Sequence, residues 1–242
     1  MNNYYGNSWN EEQRKEQFLS SGMASTFMRQ VYAIMAVGLF ITGLTAYFVG
    51  GQLLAGQWLF LFDSPTRYIV MFAPLAFVLA LSFGIEKMSY PVANLVFGLY
   101  ALVNGVSFSF IFLAFTGASI ASTFFIAGGM FGAMALYGLT TKKDLSSWGS
   151  ILMMGVFGLI IAGIANIWLQ SGMLGFIQSA IGVVIFCGLT AYDTQRIMSM
   201  GANADIENES TQKVALMGAL SLYLDFINLF WYLLRLFGSR RN

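Results

Sequence analysis

Seven apolar runs, each long enough to cross a membrane as a helix, dominate the 242-residue chain. A bilayer core of about 30 Å needs about 20 apolar residues in a helix, and an open-ended segment in lipid satisfies its backbone polar groups only as a helix. We predict spanning helices over residues 31–49, 68–85, 92–115, 120–139, 150–169, 174–200 and 214–237. The fold class is therefore predicted to be all-α, a polytopic seven-transmembrane-helix bundle.

The composition agrees with a membrane location. Hydrophobic residues make up 57% of the chain and charged residues 10%, whereas soluble domains carry about 25% charged residues. The net charge of +1 and the lack of a basic patch argue against a nucleic-acid partner. A single cysteine allows no intrachain disulfide, and the lack of histidine excludes His-based hydrolysis and His-ligated zinc.

The predicted domains are a soluble N-terminal tail (1–28), a seven-helix transmembrane domain (29–238) and a short C-terminal tail (239–242). If all seven segments cross the membrane, eight Lys and Arg residues lie on the same side of the membrane as the N-terminus, and four lie on the opposite side. The positive-inside rule then predicts a cytoplasmic N-terminus in the inner membrane. Seven full spans would put the tail GSRRN outside, whereas six spans and a half-inserted segment would put it inside. The sequence leaves both open.

An aspartate lies at the middle of the last apolar run, in SLYLDFINLF (221–230). An ionisable group at mid-bilayer costs at least about 2.5–3.5 kcal/mol, so Asp225 must face protein or water. At 100° per residue, the polar side chains of this run share one sector of about 80°: Ser221, Asp225, Asn228, Tyr232 and Arg235. Such a stripe either lines an aqueous path or packs against polar partners, and its charge favours the path.

A second intramembrane carboxylate occurs in LTAYDTQRI (189–197), as Asp193. Counted inward from the loop that both helices share, Asp193 lies about 12 Å deep and Asp225 about 18 Å deep, so the two can meet. Two carboxylates in a low-dielectric site cannot both ionise cheaply and should titrate as a unit. We predict that they form a pH sensor and gate. Their oxygens favour Ca²⁺, bound weakly and transiently as permeation requires, with no resident cofactor.

Other polar residues are secondary candidates. Five neutral side chains are candidates for a pore or proton network, and for Asn104 helix packing is the favoured interpretation, with pore lining second: Ser221, Asn228, Tyr223, Thr190 and Asn104. Lys87 and Arg196 are candidate counter-charges, although basic residues at span ends commonly serve as interfacial anchors. The acidic connector 201–213 lacks the spacing of a calcium loop and is predicted to be solvated. Gly128 and Gly132 form a GxxxG step that predicts close helix packing.

Three segments carry a resemblance: SLYLDFINLFWYLLRLFG, LTAYDTQRI and YGLTTKKDLSSWG. They resemble the Bax inhibitor-1 (transmembrane Bax inhibitor motif) family, more narrowly a bacterial inner-membrane member, over residues 23–238. The resemblance implies a seven-helix bundle with the last helix central, a pH-sensitive calcium leak, and cell-death or stress modulation in eukaryotes. For some bacterial members it implies a link to a membrane-bound ATP-dependent protease. The paired aspartates of the family match Asp193 and Asp225.

The chain departs from the family at one place. Close relatives carry an arginine cluster after the second span that can latch onto one aspartate. This chain has GIEKMSYP there, where Lys87 could substitute only as a flexible point charge.

Two rival functions stay open beside the cation leak. The chain could act purely as an interaction protein on a membrane-bound protease or in a stress response. The acid pair is also similar to that of an intramembrane aspartyl protease, which shares one proton between two aspartates. However, Leu224–Asp225–Phe226 differs from the Gly-x-Gly-Asp setting of those enzymes, and no Pro-Ala-Leu motif is present. We therefore predict a channel rather than an enzyme.

Overall fold

The computed structural model describes residues 4–63, 65–202, 205 and 208–241, with side chains from residue 22 onwards. Within these residues seven helices are long and apolar enough to cross a membrane, α3 and α4 together forming one span. The all-α, seven-span prediction is confirmed. The helices are α1 (Tyr4–Leu54), α2 (Thr66–Gly84), α3 (Tyr90–Phe108), α4 (Ile111–Ala114), α5 (Gly117–Thr140), α6 (Ser146–Leu169), α7 (Gly172–Gly201) and α8 (Glu209–Phe237).

Two helices differ from their predicted extents. α1 begins at Tyr4, long before the first apolar run, because good helix formers such as Glu, Gln, Lys and Arg fill the polar segment. The predicted span over 92–115 is interrupted at Ser109, whose N–H and hydroxyl both donate to the Val106 carbonyl oxygen. Such a local hydrogen bond competes with the regular helical ladder. Hydropathy carries no sign of this break, because the run remains apolar.

The last helix is the most buried of the seven spans. In its most apolar window 67% of the residues are buried, against 6–39% for the others, and α8 packs on α1, α3, α5 and α7. α6 is the least buried, at 6%, and packs mainly on α7. The expectation of a central last helix stays a prediction, but the burial explains why its polar side chains must find partners inside the protein.

Glycines allow close helix contacts, although not where the GxxxG step predicted them. An added Cβ at Gly182 of α7 would lie 2.6 Å from the ring of Tyr232, so only glycine admits that ring. At Gly128 and Gly132 an added Cβ would meet no described atom within 4 Å. The packing prediction for that step was wrong, because this face of α5 is turned away from the neighbouring helices.

Hydrogen bonds join the connections at one end of the bundle, which we call the basic end because it carries Lys87, Lys142, Lys143, Arg196 and Lys213. The Tyr90 N–H, at the start of α3, donates to Glu209 Oε1 over 2.9 Å, and Glu209 also pairs with Lys213 at 3.3 Å. Glu209 is exposed, as the prediction of a solvated connector expects, and it also binds the start of α3. Glu207 of that connector lies outside the described residues.

The C-terminal residues lie at the opposite end. The Thr116 N–H donates to the Ser239 carbonyl oxygen (3.1 Å), and the Arg241 N–H donates to that of Ala114 (3.0 Å). The segment after α8 is thereby attached to the connection between α4 and α5. This end is separated from the basic end by the whole length of α8.

Candidate functional site

The close packing of α7 on α8 brings the two intramembrane aspartates together. The helices approach at Gly218, where an added Cβ would lie 3.1 Å from Ile197. Measured from this contact, Asp193 lies one helical turn further into the bundle on α7, and Asp225 lies two turns further on α8. Their carboxyl groups lie close enough to interact electrostatically. Two carboxylates held this close in a low-dielectric site cannot both ionise cheaply, which favours one proton on the pair.

The two carboxyl groups differ in their surroundings. Asp225 is 4% exposed, and its Oδ2 atom is buried with no hydrogen-bond partner among the described residues. Asp193 is half-buried and lies within electrostatic reach of Arg196, three residues along the same helix. The pair therefore has one member deep in the protein and one nearer the basic end.

A cavity of about 740 Å³, which we call the acid cavity, lies beside the pair between α6, α7 and α8. It extends along α6 from Gly149 to Ile160, about 16 Å, or roughly half of a bilayer core. Both aspartates line it, together with four of the predicted polar residues: Arg196, Ser221, Asn228 and Tyr232. The polar stripe of the last helix thus faces this cavity.

A second cavity of about 600 Å³, the vestibule, lies at the basic end. Charged residues from three elements line it: Glu86 before α3, Arg196 on α7 and Lys213 on α8. Asp193, Arg196 and Ser221 border both the vestibule and the acid cavity. Asp193 therefore stands where the two spaces meet.

An aromatic stack lines the part of the acid cavity farthest from the basic end. The rings of Tyr232 and Phe186 are stacked, with centroids 5.8 Å apart and planes inclined by 25°. Both line the cavity, and the Tyr232 ring is seated on Gly182.

The structure places Tyr223 and Asn104 in a separate network on the other side of α8. The Thr42 hydroxyl donates to the Ala101 carbonyl oxygen over 2.9 Å, which uses its proton. The Tyr223 hydroxyl must therefore donate to Thr42 Oγ1 (2.7 Å), and it accepts a bond from Asn104 Nδ2 (2.7 Å). Tyr223 is two residues from Asp225, about 200° around the helix, so these residues line neither cavity.

Three other candidates occupy varied positions. Thr190 donates to the Phe186 carbonyl oxygen of its own helix (2.8 Å) and lines neither cavity. Asn228 lines the acid cavity while its amide donates to the Leu224 carbonyl oxygen (2.8 Å). Lys87 is exposed and borders neither space, so in this conformation it does not reach the pair. Arg196 does.

Sequence reasoning missed Gln195. Its Oε1 accepts from the Leu145 N–H and its Nε2 donates to the Lys143 carbonyl oxygen, both over 2.9 Å. Gln195 thus joins the LTAYDTQRI and YGLTTKKDLSSWG segments. Its position between Asp193 and Arg196 was the available signal, because an amide near the end of an apolar helix needs partners.

Neither cavity is built as a high-affinity calcium site. Among the described residues no group of three or more acidic, Cys or His side chains converges. A tight calcium site supplies six to eight oxygen ligands. The donor set fits at most brief coordination by the acid pair and neighbouring neutral oxygens.

Seven spanning helices, with a buried and a half-buried aspartate lining one cavity, define the class, a multi-pass α-helical membrane protein with acidic residues inside its spans. The sequence model of the family described as "Inhibitor of apoptosis-promoting Bax1" matches residues 24–242. The chain belongs to this family, the Bax inhibitor-1 family that its motifs resemble.

Bacterial relatives agree with this assignment. "Inner membrane protein YbhL" of Escherichia coli strain K12 is 46% identical over 218 residues, 89% of this chain and 92% of the relative. An uncharacterized protein of Rickettsia prowazekii is 44% identical over 89% of this chain and 90% of its own length. One of Borreliella burgdorferi is 39% identical over 95% and 97%, respectively. The chain is thus a multi-pass inner-membrane protein, and none of these relatives is described by a catalytic activity.

Proposed function

We propose that this protein is a pH-sensitive leak channel for cations, Ca²⁺ in particular, and that Asp193 and Asp225 are its sensor and gate. One observation carries the proposal: both aspartates line the acid cavity, and Asp193 also lines the vestibule, so the pair lies where the two spaces meet. Buried ionisable groups in a spanning helix are costly and typically mark an ion or proton path.

The proposed mechanism starts from the shared proton. When it leaves, two like charges about 4 Å apart repel by about 4 kcal/mol at an effective dielectric constant of 20. That repulsion favours separation of α7 from α8 or recruitment of a cation. Arg196, Lys213 and Glu86 face the same space and set how much of the charge is compensated. Because a cation and the proton compete for the same oxygens, Ca²⁺ binding to the pair strengthens as pH rises.

Calcium flux into proteoliposomes loaded with a calcium dye tests this proposal. The wild-type flux should differ between about pH 6 and pH 8, the range in which a carboxyl pair held by burial and like charge titrates. Asp193→Asn and Asp225→Asn should each blunt that difference, because an amide carries no titrating proton. Asp63→Asn, which removes an exposed carboxylate from the α1–α2 connection, is the matched control. An unchanged pH response in both pair variants would rule out the sensor role.

A protease is the rival that uses the same pair. Shared protonation of two aspartates also activates water in aspartyl proteases. The purified protein should leave a single-span membrane substrate intact. Cleavage that disappears in Asp225→Ala would favour the protease over the channel.

A further inference from the structure

A third cavity, which we call the basic pocket, lies at the basic end between the α5–α6 connection and the last turns of α7. Its volume is about 450 Å³. Every residue that lines it is polar or charged, which distinguishes it from the largely apolar surroundings: Lys142, Lys143, Asp144, Ser146, Tyr192, Gln195, Arg196 and Ser199. Three cations and one carboxylate give the pocket a net charge of +2, from 3 − 1.

The wall formed by the α5–α6 connection is held by specific hydrogen bonds. Gln195 binds the backbone of Lys143 and Leu145, and the Lys143 N–H donates to Thr141 Oγ1 over 3.2 Å. The backbone beneath the two lysines is thus fixed against α7. Both lysines line the same pocket as Arg196.

The single carboxylate of the pocket is already engaged. Asp144 Oδ1 accepts the Ser146 N–H over 2.9 Å at the start of α6. The hydrogen bonds from Ser146 hold the pKa of the Asp144 carboxyl below its ordinary value. Asp144 therefore stays ionised at neutral pH and serves the helix end, while none of the three cations forms an ion pair within 4.0 Å among the described residues.

The pocket opens where an inner-membrane lipid would place its headgroup. It lies at the end of the spans, and the adjoining α6 is the span least covered by protein. In the first two turns of α6, Trp148 is 49% exposed and Ile151 is 68% exposed. A ligand whose phosphate enters the pocket can therefore lay its acyl chains along α6.

We propose that the basic pocket binds the phosphate of an anionic phospholipid headgroup. Lys142, Lys143 and Arg196 supply charge, and the hydroxyls of Ser146 and Ser199 supply neutral donors. Arginine and lysine both bind phosphate oxygens, arginine with two parallel donors. Basic clusters at the ends of spanning helices attract anionic lipids in this manner.

Native mass spectrometry of the full chain in detergent, titrated with phosphatidylglycerol or phosphatidylcholine, tests the proposal. Phosphatidylglycerol should bind more tightly than phosphatidylcholine. Lys142→Gln with Lys143→Gln should weaken phosphatidylglycerol binding about thirtyfold, since each basic side chain near an anionic surface contributes about fivefold. Arg29→Gln with Lys87→Gln removes two exposed cations outside the pocket and should keep wild-type affinity. Thermal unfolding of each variant in the same detergent checks that it is folded.

A parallel titration with inorganic phosphate separates the two sources of this ligand chemistry. Phosphate that binds the pocket while phosphatidylglycerol shows no preference over phosphatidylcholine would assign the site to a free anion and overturn the lipid proposal. Equal phosphatidylglycerol affinity in the folded lysine variant and the wild type would rule out the basic pocket as the lipid-binding site. The proposal is supported if the lysine variant loses its preference for phosphatidylglycerol over phosphatidylcholine while the control variant keeps it.

Discussion

Residues on opposite faces of α8 have different roles. Asp225 faces a cavity and lacks a full set of partners, whereas Tyr223 is fully buried with its hydroxyl bonded to Thr42 and Asn104. An incompletely satisfied group beside a cavity is available to a proton or an ion. A polar group that makes all of its hydrogen bonds instead joins neighbouring helices. This difference assigns Tyr223 and Asn104 to the joining of α1, α3 and α8.

Tyr223→Phe tests that assignment. The variant removes the hydroxyl and leaves the Asn104 donor and the Thr42 acceptor unpaired, which should cost about 1 kcal/mol. We expect a lower midpoint of thermal unfolding in detergent and an unchanged pH dependence of flux. Tyr137→Phe, at a ring that is 41% exposed, should leave the midpoint unchanged. An altered pH dependence of flux in Tyr223→Phe would indicate that Tyr223 belongs to the proton network.

At the scale of elements, the segments that carry the family resemblance hold each other in place. Gln195 of α7 binds the α5–α6 connection, and the Tyr192 ring packs where Gly149 of α6 has no side chain. Glu209 of α8 binds the start of α3 in a comparable way. The connections at the basic end are thus fixed to the two helices that carry the aspartates.

Gln195→Leu should loosen that arrangement. It removes both hydrogen bonds and leaves the N–H of Leu145, a residue only 1% exposed, without its partner. We expect a loss of about 1–3 kcal/mol in stability and faster hydrogen exchange over residues 141–146. Gln57→Leu, at an exposed position of the α1–α2 connection, is the matched control. Unchanged exchange in Gln195→Leu would contradict the positioning role.

At the scale of the whole molecule, seven spanning helices put the chain termini on opposite sides of the membrane. The positive-inside count predicts a cytoplasmic N-terminus, and the C-terminal residues pair with the α4–α5 connection at the other end. A reporter that is active only outside the cytoplasm should therefore work when fused after residue 242 and fail when fused within the α5–α6 connection. Activity at neither site would indicate six full spans.

The N-terminal part of α1 offers a test of the interaction function. α1 continues through the 18 residues from Tyr4 up to the candidate span, which starts at Gly22. Deleting residues 2–22 should abolish any effect on a membrane-bound protease partner while calcium flux stays as in the wild type. Protease activity in membranes and dye flux in proteoliposomes measure the two separately. Loss of flux on this deletion would show that the two roles are not independent.

The sequence alone determined which apolar segments are helices and which residues are costly to bury. Lipid leaves the backbone one open-ended solution, so composition and run length locate the spans. The same reasoning predicts that the two aspartates can meet, because both helices leave the membrane at one loop. It missed the break at Ser109, where the apolar pattern continues unchanged.

Only the tertiary structure decided which faces meet. The periodicity of α8 groups Ser221, Asp225, Asn228 and Tyr232 but does not tell a cavity from a packed seam. It also gives no sign that Tyr223 pairs with Thr42, that Gly128 and Gly132 of α5 meet no neighbouring helix, or that Gln195 holds a distant connection. These facts depend on side chains far apart in the chain, and local composition carries no information about which of them become neighbours.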